Sequence, residues 1–136
     1  MDDVRNYKMR DDDKEMYRRT GSEPAEGLEW SFHNSEHCWV AEDKNKIISI
    51  AGVGRNSIGG TIWIMFAADI EALPLSFFKE SKKYLKFMLD KYGYLENFAE
   101  VNKFFVIKWA MSMGFTIDKP FSTKYGTFCR VHIGGA

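Results

Sequence analysis

The sequence predicts an α/β (α+β) fold, a mixed and twisted sheet of six to seven strands flanked by about four helices. Three observations predict it. Short β-forming segments fill Cys38–Ala67, and long helical patterns follow strands at Leu75–Lys91 and after Asn102. The stretch Glu96–Phe115, ENFAEVNKFFVIKWAMSMGF, changes from a period of two to one of about 3.6 in its middle. A chain of 136 residues is one domain's worth and long enough to bury a core, so 1–136 is read as a single domain.

Residues Val4–Met9 alternate Val4, Asn6 and Lys8 with Arg5, Tyr7 and Met9, which suits a first edge strand. Asp11-Asp12-Asp13 then opens a helix that runs through Arg19. Acids in its first turn and Arg18-Arg19 in its last match the helix dipole at both ends, and the triplet reads as a solvated helix start. Gly21 ends that helix. Ser22-Glu23-Pro24 starts another, with Ser22 as cap and proline in the first turn, and Leu28 and Phe32 face the core. Cys38–Glu42 and Ile47–Gly54 read as strands joined by a turn at Asp43-Lys44-Asn45-Lys46, and after a loop Thr61–Ala67 reads as a central strand. The helix after Pro74 buries Phe77, Phe78, Tyr84, Leu85, Met88 and Leu89, with lysines opposite and Ser76 in its first turn. Trp63, Phe105 and Trp109 complete the expected core where the two later helices meet the sheet.

In Glu96–Phe115 a short strand, Asn97–Val101, meets a helix at Asn102, whose amide oxygen is suited to accept from first-turn N–H groups. Phe105, Trp109 and Met113 share one side of that helix. Gly114 stands where a left-handed C-cap is usual, and Phe115 begins another extended run. This unit resembles motif B of the GNAT superfamily of acyl-CoA-dependent N-acyltransferases, matching at Asn102 and Gly114-Phe115. The order of the other elements extends the resemblance over most of the chain. It implies a splay between the fourth and fifth strands, Thr61–Ala67 and Asn97–Val101, that takes the pantetheine arm of acetyl-CoA past Phe66, Ala67 and Asn102. It also implies that the cofactor pyrophosphate lies at the N-terminus of the Leu75–Lys91 helix, near Ser76 and Lys79, because an uncapped helix start favours an anion.

The pattern departs from the superfamily at two places. The loop before that helix is usually R/Q-x-x-G-x-G/A, whereas Ala67–Pro74 reads AADIEALP and holds no glycine to bring a phosphate against the backbone. Lys79, Ser81, Lys82 and Lys83 remain as donors, though they also read as a solvated face. The superfamily often places a tyrosine acid four residues before the motif-B glycine, and Ala110 stands there. A base is needed to deprotonate the amine, and the central strand carries no acid. Glu100, Glu71 and Glu36 are the nearest candidates, with His37 behind them and Ser112 or Cys129 as substitutes for the tyrosine; each also reads as a surface or capping residue.

A narrower resemblance runs through Ile62-Trp63-Ile64-Met65, Phe77-Phe78-Lys79, Lys91-Tyr92, Leu95, Asn97 to Asn102 and Met113-Gly114-Phe115. These are similar to a family of short GNAT-like proteins of tailed bacteriophages, and Arg10, Asp13, Glu15 and Gly21 fit its N-terminal segment loosely. Some members are internal virion or head-assembly proteins. Two readings follow: an acetyl-CoA-dependent transferase acting on an amine acceptor, or a non-catalytic module that binds a phage or host protein.

Charge and composition narrow the classes. Nineteen basic residues balance nineteen acidic ones, which gives no support for nucleic-acid binding. Apolar runs such as Ile62–Ala68 are too short to span a bilayer, and the charged start MDDVRNYKMRDDDKE does not read as a secretory signal. Cys38 and Cys129 lie in strand-like contexts that suit a reducing compartment, here a host cytoplasm or a virion formed in it. Neither has metal-ligand spacing to His33, His37 or His132, so no metal site is expected.

Overall fold

The computed structural model describes residues 7–19, 21–70 and 72–135. Its elements run α1 (Asp11–Arg19), α2 (Pro24–His33), β1 (His37–Asp43), β2 (Lys46–Arg55), β3 (Gly60–Phe66), α3 (Leu75–Tyr92), β4 (Tyr94–Glu100), α4 (Phe104–Met113), β5 (Thr116–Ile117), β6 (Phe121–Thr123) and β7 (Gly126–Gly134). The seven strands form one mixed sheet in the order β1-β2-β3-β4-β7-β5, with β6 also paired to β7. Of the expected Val4–Met9 strand, Val4, Arg5 and Asn6 lie outside the described residues; Met9 makes an isolated antiparallel bridge to Ala67.

The chain divides into two compact units. Of the described residues, the first holds those through Gly54 together with those of Trp63–Ala72, and the second holds Arg55–Ile62 and those from Leu73. In the first, α1 and α2 pack through Tyr17, whose ring lies against Gly27, where a side chain would collide with it. Tyr17, Leu28, Phe32, Ile47, Ile50 and Met65 make the core. Trp63 adds an edge-to-face contact with Phe32 at 5.4 Å, and its indole N–H donates to Ser35 Oγ at 2.8 Å. The β1–β2 hairpin closes through Lys44 and Asn45, both with positive φ (52° and 66°), so its loop is two residues rather than four.

In the second unit α3 packs against α4 and β4, and α4 against β5; Leu95, Ala99, Cys129 and Val131 are buried on one face of the β4–β7 pair, and Leu85, Met88, Trp109 and Met113 are buried on the helices. Trp109 donates its indole N–H to Ser81 Oγ at 3.1 Å, and its ring lies 5.5 Å from that of Phe115. Gly114 takes the left-handed C-cap of α4 with φ 89°.

Several sequence expectations are corrected here. Tyr84 is 43% exposed, because α3 turns Ser81, Leu85, Met88 and Tyr92 inward instead. Trp63, Phe77 and Phe105 are half-buried. Asp13 is buried, so the acidic triplet is solvated only in part. Ser22 does not cap α2, whose N-cap is Glu23 without a side-chain hydrogen bond. Asn102 does not cap α4, which begins at Phe104 after Lys103.

Candidate active site

The second unit contains the place where two parallel strands part. The β3–β4 ladder consists of Gly60↔Leu95 and Thr61↔Glu96. At the next position a side chain replaces the backbone: Asn97 Nδ2 donates to Ile62 O at 2.6 Å, while Phe98 N–H donates to Asn97 Oδ1 at 2.7 Å. An amide can make both bonds at once because it carries a donor and an acceptor on one plane. It thereby satisfies a carbonyl that the ended ladder would leave open. The loop before β3 is shaped by Asn56, whose Oδ1 accepts from the N–H groups of Ile58 (2.9 Å) and Gly59 (2.8 Å). Gly59 lies against the backbone of Tyr94, an approach no Cβ would permit.

The start of α3 is open. Pro74 is its N-cap, no side chain caps it, and Leu75, Ser76 and Lys79 are exposed. Proline offers no side-chain acceptor; Phe77 N–H donates to Pro74 O at 3.0 Å, and the N–H groups of Leu75 and Ser76 at the helix start keep their partial positive charge. Lys79 lies one turn on. Ser81, expected among the donors, is instead buried under Trp109 and unavailable to a phosphate.

Other expected site residues are dispersed. Asn102 is exposed in the turn after β4, its carbonyl accepting Phe104 N–H at 3.0 Å. Glu100 is half-buried at the end of β4. Ser112 is exposed near the end of α4, about 12 Å along the helix axis from its first residue, since each residue rises about 1.5 Å. That length separates it from Asn102. Ala110, in the position of the superfamily's tyrosine, is buried. Glu71 lies outside the described residues.

Phe66 and Ala67, expected to line the pantetheine, are buried in the first unit at 1% and 0% exposure. The segment that follows is tied down there. Ala67 N–H donates to Ile48 O (3.0 Å), Ala68 N–H donates to Lys8 O (2.8 Å), and Asp69 pairs with Lys8 and Lys46, each at 3.4 Å. Two backbone donors of the segment are therefore already committed. Cys38 is exposed and Cys129 buried, both free, and burial pushes both thiols up.

A polar cluster escaped the sequence reading. Tyr94 and Glu96 on β4 share a face with Arg130 and His132 on β7, because Glu96 is paired with His132 in the antiparallel register. Arg130 Nε donates to Glu96 Oε2 at 3.1 Å, Arg130 Nη1 donates to Asp118 Oδ2 at 3.2 Å, and Arg130 Nη2 donates to the Tyr94 hydroxyl. Tyr94 in turn donates to Glu96 Oε2 at 3.2 Å. His132 Nε2 lies 3.0 Å from Asp118 Oδ1. The hydrogen bond from His132, with that from Arg130, holds the Asp118 carboxyl below its usual range. Desolvation and the bond to Glu96 push the Tyr94 hydroxyl up, so it stays a phenol at neutral pH. The available signal was an i, i+2 pair on each strand, tyrosine and acid on one, arginine and histidine on the other. Among the described residues no group of three or more metal-ligating side chains comes together. No described helix is long and apolar enough to cross a membrane.

No protein-family model matches the sequence, and no curated protein does. Solved structures do match. A ribosomal-protein-alanine N-acetyltransferase from Brucella melitensis superposes with a TM-score of 0.62 at 14% identity, over 87% of this chain and 82% of its own. The ribosomal-protein-S5-alanine acetyltransferase from Vibrio fischeri gives 0.60 at 13%, over 81% and 67%. The yncA protein of Salmonella typhimurium, solved with its cofactor acetyl-CoA, gives 0.58 at 14%, over 89% and 85%. At such identities the likeness is one of architecture, and the architecture of this chain is the GNAT acetyltransferase fold.

Proposed function

We propose that this protein binds acyl-CoA, acetyl-CoA in the simplest case, and transfers the acyl group to an amine nitrogen. The observation that carries the reading is the parting of β3 from β4 after Thr61↔Glu96 within an acetyltransferase fold. In support, a structural neighbour was solved with acetyl-CoA. The open start of α3 fits a pyrophosphate: its first-turn N–H groups have no side-chain cap, and Ser76 and Lys79 are exposed beside them. Asn102, exposed in the turn after β4, is assigned to the pantetheine arm. With no glycine between Ala67 and Pro74, lysine charge carries more of the phosphate binding than backbone donors do, so affinity falls with salt. The acceptor is an amine of host or phage origin, in keeping with the resemblance to phage GNAT-like proteins.

A second reading keeps the fold and drops the chemistry: a module of phage particle assembly or host-protein binding. Two observations favour it, the buried Ala110 in place of a tyrosine acid and the committed N–H groups of Ala67 and Ala68. Calorimetry with acetyl-CoA decides between the two. Binding by the wild type, weakened at least several-fold in Lys79→Ala or Asn102→Ala, upholds the first reading. Binding unchanged in both variants misplaces the site, and no heat at millimolar ligand leaves the assembly reading.

A further inference from the structure

We propose that His132 is the general base that deprotonates the acceptor amine, with Asp118 as the residue that positions it; the assignment rests on the acyltransferase reading above. The argument begins with place. Glu96 is the last β4 residue in the ladder to β3, and His132 is its partner across the ladder to β7, so the imidazole belongs to the strand pair beside the point of parting.

Chemistry comes next. An ionised carboxylate only accepts, so the 3.0 Å contact requires His132 Nε2 to carry the hydrogen toward Asp118 Oδ1. In the neutral ring the lone pair then lies on Nδ1, with no hydrogen bond from the described residues to it. The ring is not sealed away, since 23% of its side chain remains exposed. Asp118 is fixed in turn: Arg130 Nη1 donates to its other oxygen, and its own N–H donates to Arg130 O at 2.9 Å. Arg130 also donates through Nε to Glu96 and through Nη2 to the Tyr94 hydroxyl. The groups facing the imidazole are thus Tyr94 and Glu96 from β4, Thr116 from β5, Asp118 just after it, and Arg130 from β7. Two carboxylates against one guanidinium leave a single negative charge, which favours an approaching ammonium. A network built only to join strands has no need of a histidine with one nitrogen held and the other carrying an open lone pair.

The step balances as follows. His132 Nδ1 takes one proton from the ammonium, and the neutral amine attacks the thioester carbonyl. A C–N bond forms and the C–S bond breaks. The remaining surplus N–H proton passes to the departing thiolate sulfur, and His132 returns its proton to solvent. Amide and CoA thiol are the products.

The test uses the full chain with acetyl-CoA and three probe amines: spermidine, a peptide α-amine and an aminoglycoside. His132→Ala should stay folded, with a melting temperature no lower than that of Asp118→Asn, and keep its acetyl-CoA affinity while kcat/KM falls about 10²- to 10⁴-fold, the range of a lost general base. Added imidazole should restore part of the rate to His132→Ala and none to the wild type. Asp118→Asn should lower kcat without raising KM, because an amide that donates to Nε2 moves the ring hydrogen to Nδ1. Unchanged kcat/KM in His132→Ala, or a fall that imidazole does not relieve, overturns the assignment and leaves acyl-CoA binding intact. Acetyl-CoA binding without transfer to any of the three amines also overturns it. No acetyl-CoA binding by the wild type removes the parent reading and this one together.

Discussion

Trp109 is 5% exposed and makes two contacts at once: its ring meets Phe115, and its indole N–H is satisfied by Ser81 on a different helix. Trp109→Ala therefore removes a large side chain from between α3 and α4 and strips Ser81 of its partner. We expect a loss of about 3–5 kcal/mol in chemical denaturation, as for other large aromatic truncations in cores. Tyr84→Ala, on the exposed side of α3, should stay within about 1 kcal/mol. A loss at Tyr84 equal to that at Trp109 would mean that α3 is rotated from the orientation described. Asp118 gives a pH-dependent counterpart. Its carboxyl is held below the ordinary value of 3.8 when folded, first by the His132 hydrogen bond and then by Arg130. The unfolded chain thus binds the proton more readily, and stability rises with pH through that window. The contribution is present above about pH 4 and is lost as pH falls through the lower folded value. The stability gap between wild type and Asp118→Asn should accordingly narrow on acidification from about pH 5 to pH 3. A gap that widens would reverse the sign of the linkage.

At the scale of elements, hydrophobic period, turn chemistry and the Gly114 C-cap carried the reading, and N-caps did not. The order of α1 through β4 and the Gly114 stop follow from patterns inside each segment, which is why they were legible. N-caps depend on where packing lets a helix begin. Lys103 is buried, so α4 starts at Phe104, and Asn102 is left in the turn ahead of its expected role. The β4 strand shows the same limit. It begins at Tyr94 rather than Asn97, which turns Phe98 outward with Tyr94 and Glu96 and sends Leu95 and Ala99 to the core. The cluster around Arg130 was illegible for another reason: its members are far apart in sequence, and the β4–β7 and β5–β7 registers join them. The β1–β2 hairpin offers an element-scale test. Lys44 and Asn45 both hold positive φ, which a type I′ turn requires and lysine tolerates poorly. Replacing Lys44-Asn45 with Asn-Gly should raise stability by about 0.5–1 kcal/mol. A loss in equilibrium unfolding would show that the Lys44 side chain contributes more than its backbone strain costs.

For the molecule as a whole, the question is whether the acetyltransferase fold still carries its ligand. A ligand that binds only the native state stabilises it by RT ln(1 + [L]/Kd), about 1.4 kcal/mol when free ligand is tenfold above Kd. For a chain of 136 residues that corresponds to a rise of roughly 5 °C in melting temperature. The salt dependence separates this site from a glycine-rich one. Backbone donors at a buried cradle are little screened, whereas an exposed lysine loses most of its reach when the screening length falls to about 3 Å at 1 M salt. Lys79 is exposed, and the Ala67 and Ala68 N–H groups are already spent within their own unit. The acetyl-CoA shift should therefore shrink by more than half between about 0.1 and 1 M sodium chloride. In Lys79→Ala it should start smaller and depend less on salt. A shift that persists undiminished at high salt would place the pyrophosphate on backbone donors instead, and Lys79 would lose its assignment. No shift at millimolar acetyl-CoA in low salt would leave the fold without its cofactor, and the chain would then be a binding module.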